Sequence, residues 1–155
     1  MKKLICVMLA LLLIGACALA DAPQFSSVLF SSAKQAVGYL ASGEYERLVT
    51  LLPFSGDAPG AAEWESFASG YSSLSGAQSK YAVAFWTGSI WVVAVPLREP
   101  SDGSVEVLAL SSEDGSSFVG YRHATWSQVE DAYEKSDHVL WNEEYVGGTP
   151  TVVTD

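Results

Sequence analysis

The side chains that could support nucleophilic or acid–base chemistry in this chain are many serines and only two histidines, His123 and His138. A hydrolase nucleophile sits on a sharp turn between two glycines, and the nearest approach to that spacing, Gly70-Tyr71-Ser72-Ser73-Leu74, lacks the second glycine. Without it a Ser–His–carboxylate triad has no signature, and a serine-rich surface is the simpler reading. In Tyr121-Arg122-His123 an extended backbone places Tyr121 and His123 on one face and Arg122 on the other. His123 is therefore the one candidate general acid or base, because an imidazole titrates near neutrality. No second member of a catalytic pair is identifiable beside it. Asp137-His138 and Glu143-Glu144 are the nearest thing to a metal cluster, yet neighbours on a strand point to opposite faces and cannot share one ion. The Asp-Gly turns lack the series of oxygen ligands that a calcium loop needs. No metal and no cofactor is assigned.

Aromatic residues stand above this background: five tryptophans and seven tyrosines. Indole and phenol rings on a sheet face stack on sugars or anchor peptide segments, so Trp86, Trp91, Tyr121 and Trp141 are the candidate ligand-binding residues. The competing reading is that these rings are core, since a domain without disulfides needs large apolar side chains inside. Trp64 reads as core from its helical spacing, and Trp126 as a packing residue at a helix start.

These residues must be positioned by one domain, the amount of structure that 155 residues supports. Lys2 and Lys3 precede an uncharged run from Leu4 to Ala20, the layout of a secretory leader. Ala18-Leu19-Ala20 places the cut before Asp21, while Ile14-Gly15-Ala16-Cys17 resembles a lipobox that would make Cys17 a lipidated first residue. The expected organisation is a leader over 1–20, a single α+β domain over 21–146 and a tail over 147–155. Cys6 and Cys17 are the only cysteines, so the exported domain has no internal disulfide and no thiolate chemistry. Removing Lys2 and Lys3 leaves six basic against eighteen acidic residues, a formal charge of −12. That balance excludes nucleic acid as a partner and disfavours an anionic membrane surface, so a membrane enters only through a lipid at Cys17.

The pattern along the domain is helical first and extended later. Phe25, Leu29, Ala33, Ala36, Val37 and Leu40 line one helix face ending at Gly43, a second short helix over Glu44–Leu52 stops at Pro53, and a third carries Trp64, Phe67, Ala68 and Tyr71. Lys80–Thr87 and Ile90–Leu97 flank Gly88-Ser89 as a hairpin in which Trp86 faces Trp91. Asp102-Gly103 and Asp114-Gly115 turn the chain into two further strands, completing an antiparallel meander. Thr125 and Gln128 have capping-box spacing for a helix from Trp126 to about Lys135, and Val139–Val146 is a final extended run.

Helices first, with the step Gly43-Glu44-Tyr45 between two of them, then a long meander: this order over roughly residues 25 to 125 resembles the small exported proteins of the NTF2-like (cystatin-like α+β) group. The resemblance implies a curved sheet wrapping the helices into a cone with a pocket. It implies no reaction, because the group is functionally mixed. The chain departs from that pattern in having no obvious strand between the second and third helices and in placing a helix at Trp126 before the last strand. The expected function is an exported, non-enzymatic binding or interaction domain for an envelope or extracellular ligand, glycan or protein. The alternatives are a small pocket enzyme using His123 and a purely structural envelope lipoprotein.

Overall fold

The computed structural model describes residues 21–77 and 79–142. The stretch expected to be a leader, 1–20 with Cys17, the pair Glu143-Glu144 and the expected tail lie outside the described residues. Helix α1 spans Val28–Ser42, and Leu29, Ala33, Ala36, Val37 and Leu40 are its buried face. Gly43 ends it in the left-handed region at φ 73°, which a glycine adopts without a Cβ clash, so that the next N–H groups reach back to Leu40 and Tyr39 carbonyls. Helix α2, Tyr45–Leu51, buries Leu48. Helix α3, Ala61–Ala68, buries Trp64 and opens with Glu63 accepting the Gly60 N–H at 3.1 Å. Between α2 and α3 the chain makes one isolated parallel bridge, Phe54 to Phe118. Among the described residues no helix is long and apolar enough to cross a membrane.

Strands β1 (Ala82–Trp86), β2 (Trp91–Pro96), β3 (Glu106–Ser112) and β4 (Gly120–Thr125) form the expected antiparallel meander, with Trp86 opposite Trp91. Helix α4, Trp126–Tyr133, follows at once. Its capping box is half formed: Gln128 accepts the Thr125 N–H at 3.0 Å, while the Thr125 hydroxyl meets Ser127 instead. Strand β5, Val139–Asn142, then returns beside β1, giving the order β4-β3-β2-β1-β5. Together these make an α+β fold in which four helices pack with a five-stranded antiparallel sheet.

Both faces of the middle of this sheet are covered. On the inner face Ala84, Trp91, Val93, Val95, Leu108 and Leu110 pack under α1, α2 and α3. On the outer face Val83, Phe85, Ala94 and Val107 pack with Trp126 and Val129 of α4 and with Trp141 of β5. Every residue of β2 is buried as a result, which is why its sequence is a continuous apolar run instead of the alternation of a half-solvated strand.

The first residues of the domain are strapped across one end of the sheet. The Trp91 indole N–H donates to the Pro23 carbonyl at 2.9 Å, and Ser26 N–H donates to Gly115 C=O at 2.8 Å. Gly115 adopts φ 76°, and a Cβ there would stand 2.2 Å from the Gln24 carbonyl oxygen. Gly115→Ala therefore meets both backbone strain and a backbone clash, and should cost about 1–3 kcal/mol. Trp91→Phe keeps a ring but loses one hydrogen bond, a loss of about 1 kcal/mol apart from any repacking. Urea unfolding followed by far-UV circular dichroism checks both values; an unchanged midpoint in Gly115→Ala would show that the strap is not held there.

Candidate functional site

Strand β4 is one edge of the sheet, and its inner-face residues Tyr121 and His123 extend the core outward as an aromatic seam. Tyr121 lies 4.6 Å from the Trp64 ring and 4.9 Å from Phe67. The His123 imidazole stacks on Tyr71 at 4.2 Å with 9° between planes and meets Phe67 edge-on at 4.1 Å. Its Cε1 edge points at Gly70, where any Cβ would come 2.3 Å from the ring. The Tyr71 phenol donates to Val107 C=O at 3.1 Å; burial, assisted by the Glu106 carboxylate, pushes its pKa well above the ordinary phenol range.

Glu106, at the start of β3, is the nearest carboxylate on this face. One oxygen accepts the Ser72 N–H and hydroxyl, the other the Ser73 N–H and hydroxyl, all between 2.8 and 3.0 Å. Desolvation works against its charge, and these four hydrogen bonds outweigh it, so the carboxyl titrates below the usual glutamate range. Glu106 and His123 line one shallow pocket of about 260 Å³ with Thr125 and Gln128. They do not form a dyad: both carboxylate oxygens are committed to serines, and among the described residues His123 makes no hydrogen bond. The arrangement staples the Ser72-Ser73 loop to the sheet and uses the imidazole as a packing ring. Among the described residues no three metal-capable side chains converge.

The four candidate ligand-binding rings do not share a surface. Trp86 and Trp91 are neighbours, 5.7 Å apart, on the inner face, where Trp91 is only 3% exposed and packs against Phe25. Trp86 is half-buried, and its indole nitrogen is buried with no hydrogen-bond partner among the described residues. Tyr121 belongs to the seam. Trp141 is on the outer face, packed against Trp126 and Tyr133. Trp64 is buried, as its helical spacing predicts, and so is Trp126 at the start of α4. Packing accounts for these rings because a sheet covered on both faces needs large side chains on both.

A different surface is open. Helix α4 crosses the outer face toward β1, leaving the hairpin end of β2, β3 and β4 beside it uncovered. There Ile90, Val92 and Ala109 floor a trough of about 390 Å³, with Thr87, Ser111 and Arg122 among its polar rim. Ser111 sits opposite Gly120, where a Cβ would come 2.7 Å from the serine hydroxyl, so the glycine keeps this end low. The trough was missed from the sequence, although Ile90 and Val92 carry the period-two signal that places them on one face. The chain matches no protein-family model, no curated protein and no solved structure.

Glu106 gives a pH signature. Its folded pKa is depressed, so its contribution to stability is present above the unfolded pKa and is lost as pH falls through the lower folded value. Wild type should therefore lose stability more steeply than Glu106→Gln on acidification below about pH 4.3. Asp102 and Asp114, also held low by hydrogen bonds from neighbouring serines, titrate in both proteins and cancel in the comparison. Unfolding free energies measured from pH 6 to pH 3 check this; parallel curves would remove the clamp from the account.

Proposed function

We propose that this protein is an exported, non-enzymatic binding domain whose contact surface is the uncovered trough on the outer face of the sheet. The observation that carries this reading is the pairing of an apolar floor, Ile90, Val92 and Ala109, with an adjacent edge strand. Phe118 already exchanges backbone hydrogen bonds with Pro53 and Ser55 on the outer side of that edge. Val119 N–H bonds the C=O of Ser111, the partner of Gly120, so the alternation slips by one here: Gly120, Arg122 and Ala124 bond β3, and the next outward-facing backbone groups belong to Tyr121 and His123. An extended segment laid there would gain main-chain hydrogen bonds from the edge and bury alternate side chains in the trough. The ligand this favours is a protein segment. Sugar stacking needs accessible ring faces, and the indoles of Trp91 and Trp141 are buried. Arg122, exposed at the rim of a strongly acidic chain, favours a partner segment carrying a carboxylate beside its apolar residues. Export and any lipid at Cys17 rest on the leader.

Titration of the mature protein with extended peptides and with envelope glycans, followed by amide and methyl NMR shifts, tests this. Peptides should perturb Ile90, Val92, Gly120 and Arg122 together, and Ile90→Asp should weaken binding at least about tenfold with the fold intact, the cost of one charge on an apolar contact. Binding that maps to Trp86 and Trp91, or that is indifferent to Ile90→Asp, would contradict the trough.

A further inference from the structure

A second opening lies at the opposite end of the β1–β2 hairpin, and its chemistry differs from the trough. Six cationic side chains remain in the mature chain, and two of them, Lys80 and Arg98, line one cleft of about 440 Å³. The register explains their meeting: Val83 lies opposite Ala94, which brings the residues just before β1 alongside those just after β2. Arg98 is already aimed. Its Nη2 donates to the Ser73 carbonyl at 3.0 Å, and Ser73 is itself pinned by Glu106 through its N–H and hydroxyl. The rest of the Arg98 guanidinium fork has no protein partner among the described residues. Among the described residues Lys80 has neither a hydrogen bond nor an ion pair, and Glu99, the carboxylate of that set lining the cleft, pairs with neither cation. The floor is apolar, built from Ala77, Tyr81 and Leu97, all buried.

Two like charges line this cleft, one of them in a fixed orientation, and an anion seated between them would offset their repulsion. A planar guanidinium with free N–H groups matches an oxyanion with two acceptor oxygens, and a lysine beside it adds a second charge. We infer that the Lys80–Arg98 cleft binds a small oxyanion, carboxylate or phosphate, carried on a small apolar body that lies against Ala77 and Tyr81. This site is independent of the trough and stands or falls separately from it.

The experiment is calorimetric and NMR titration of the mature protein with benzoate, phenyl phosphate and the neutral isostere benzyl alcohol. Saturable binding of an oxyanion, with shifts at Ser73, Gly76, Lys80 and Leu97 and at least tenfold weaker binding of the alcohol, is the expected result. Which of the two oxyanions binds tighter identifies the natural headgroup as carboxylate or phosphate. Arg98→Gln and Lys80→Gln, both at exposed positions, should each weaken binding about tenfold while circular dichroism stays unchanged; Lys80→Gln leaves the Ser73 contact intact and so separates charge from loop anchoring. Binding of the alcohol as strong as that of the anions, oxyanion binding that survives both substitutions, or no saturable oxyanion binding would overturn the proposal. The acidic pair Glu143-Glu144 follows β5, which ends opposite Ala82, two residues from Lys80. Oxyanion binding that appears only in a double E143Q and E144Q variant would assign the cleft to the chain's own carboxylates and equally overturn it.

Discussion

Strand β2 is covered on both faces except beside its hairpin end, where Val92 floors the trough, and the rest of the fold follows from that covering. Each Val or Leu side chain taken out of water contributes about 1.5–3 kcal/mol, and this domain has no disulfide to supplement packing. One face of β2 is closed by three helices that precede the sheet, bringing Leu29, Leu40 and Trp64 into its inner core. The other face is closed by chain that comes after the meander, through Trp126, Val129 and Trp141. That is the role of α4, which starts where β4 ends and crosses toward β1. The crossing delivers the chain to the far end of β1, where the Ser136 hydroxyl donates to Trp86 C=O and Trp86 N–H donates to His138 C=O. Strand β5 therefore pairs with β1, and β4 remains an edge.

Three local devices hold this arrangement in place. Glu106 ties the loop after α3 to β3, Gly115 with the Trp91 indole ties the first residues of the domain to the sheet, and Gln128 fixes the start of α4 at the end of β4. Each couples an element to the sheet through a backbone group, so each positions a surface as well as a core. The trough begins where α4 stops covering the outer face. The cationic cleft begins where the Glu106-pinned loop turns away from the end of β2. Both openings are places where the covering of one central hairpin runs out, and the chemistry of each is set by what borders it: an edge strand in one case, two cations in the other.

The helices, turns and hairpin were legible because each carries a local signal: the spacing of Leu29, Ala33, Ala36, Val37 and Leu40, the Asp-Gly reversals, and Gly88 at φ 95° between the paired tryptophans. The roles of the rings were not legible. Trp91 through Val95 is a continuous apolar run, and such a run gives no indication of which side a residue faces or what covers it. Trp141 could be assigned to the outer face only once β5 was known to lie beside β1. The Glu106 clamp joins residues 34 positions apart and has no local signature. His123 read correctly as a strand residue on the same face as Tyr121, but its stacking on Tyr71 depends on how α3 and the following turn lie over β4.

The claim on which the account turns is that the indoles pack the two faces of the sheet and do not form the contact surface. Tryptophan emission of residues 21–155 with acrylamide quenching tests it most directly, since Trp64, Trp91, Trp126 and Trp141 are each below 9% exposed and only Trp86 is partly accessible. The account predicts blue-shifted emission, weak quenching, and at most one quenchable component that disappears in Trp86→Phe. A red-shifted, readily quenched fraction that persists in Trp86→Phe would place further indoles in water and contradict it.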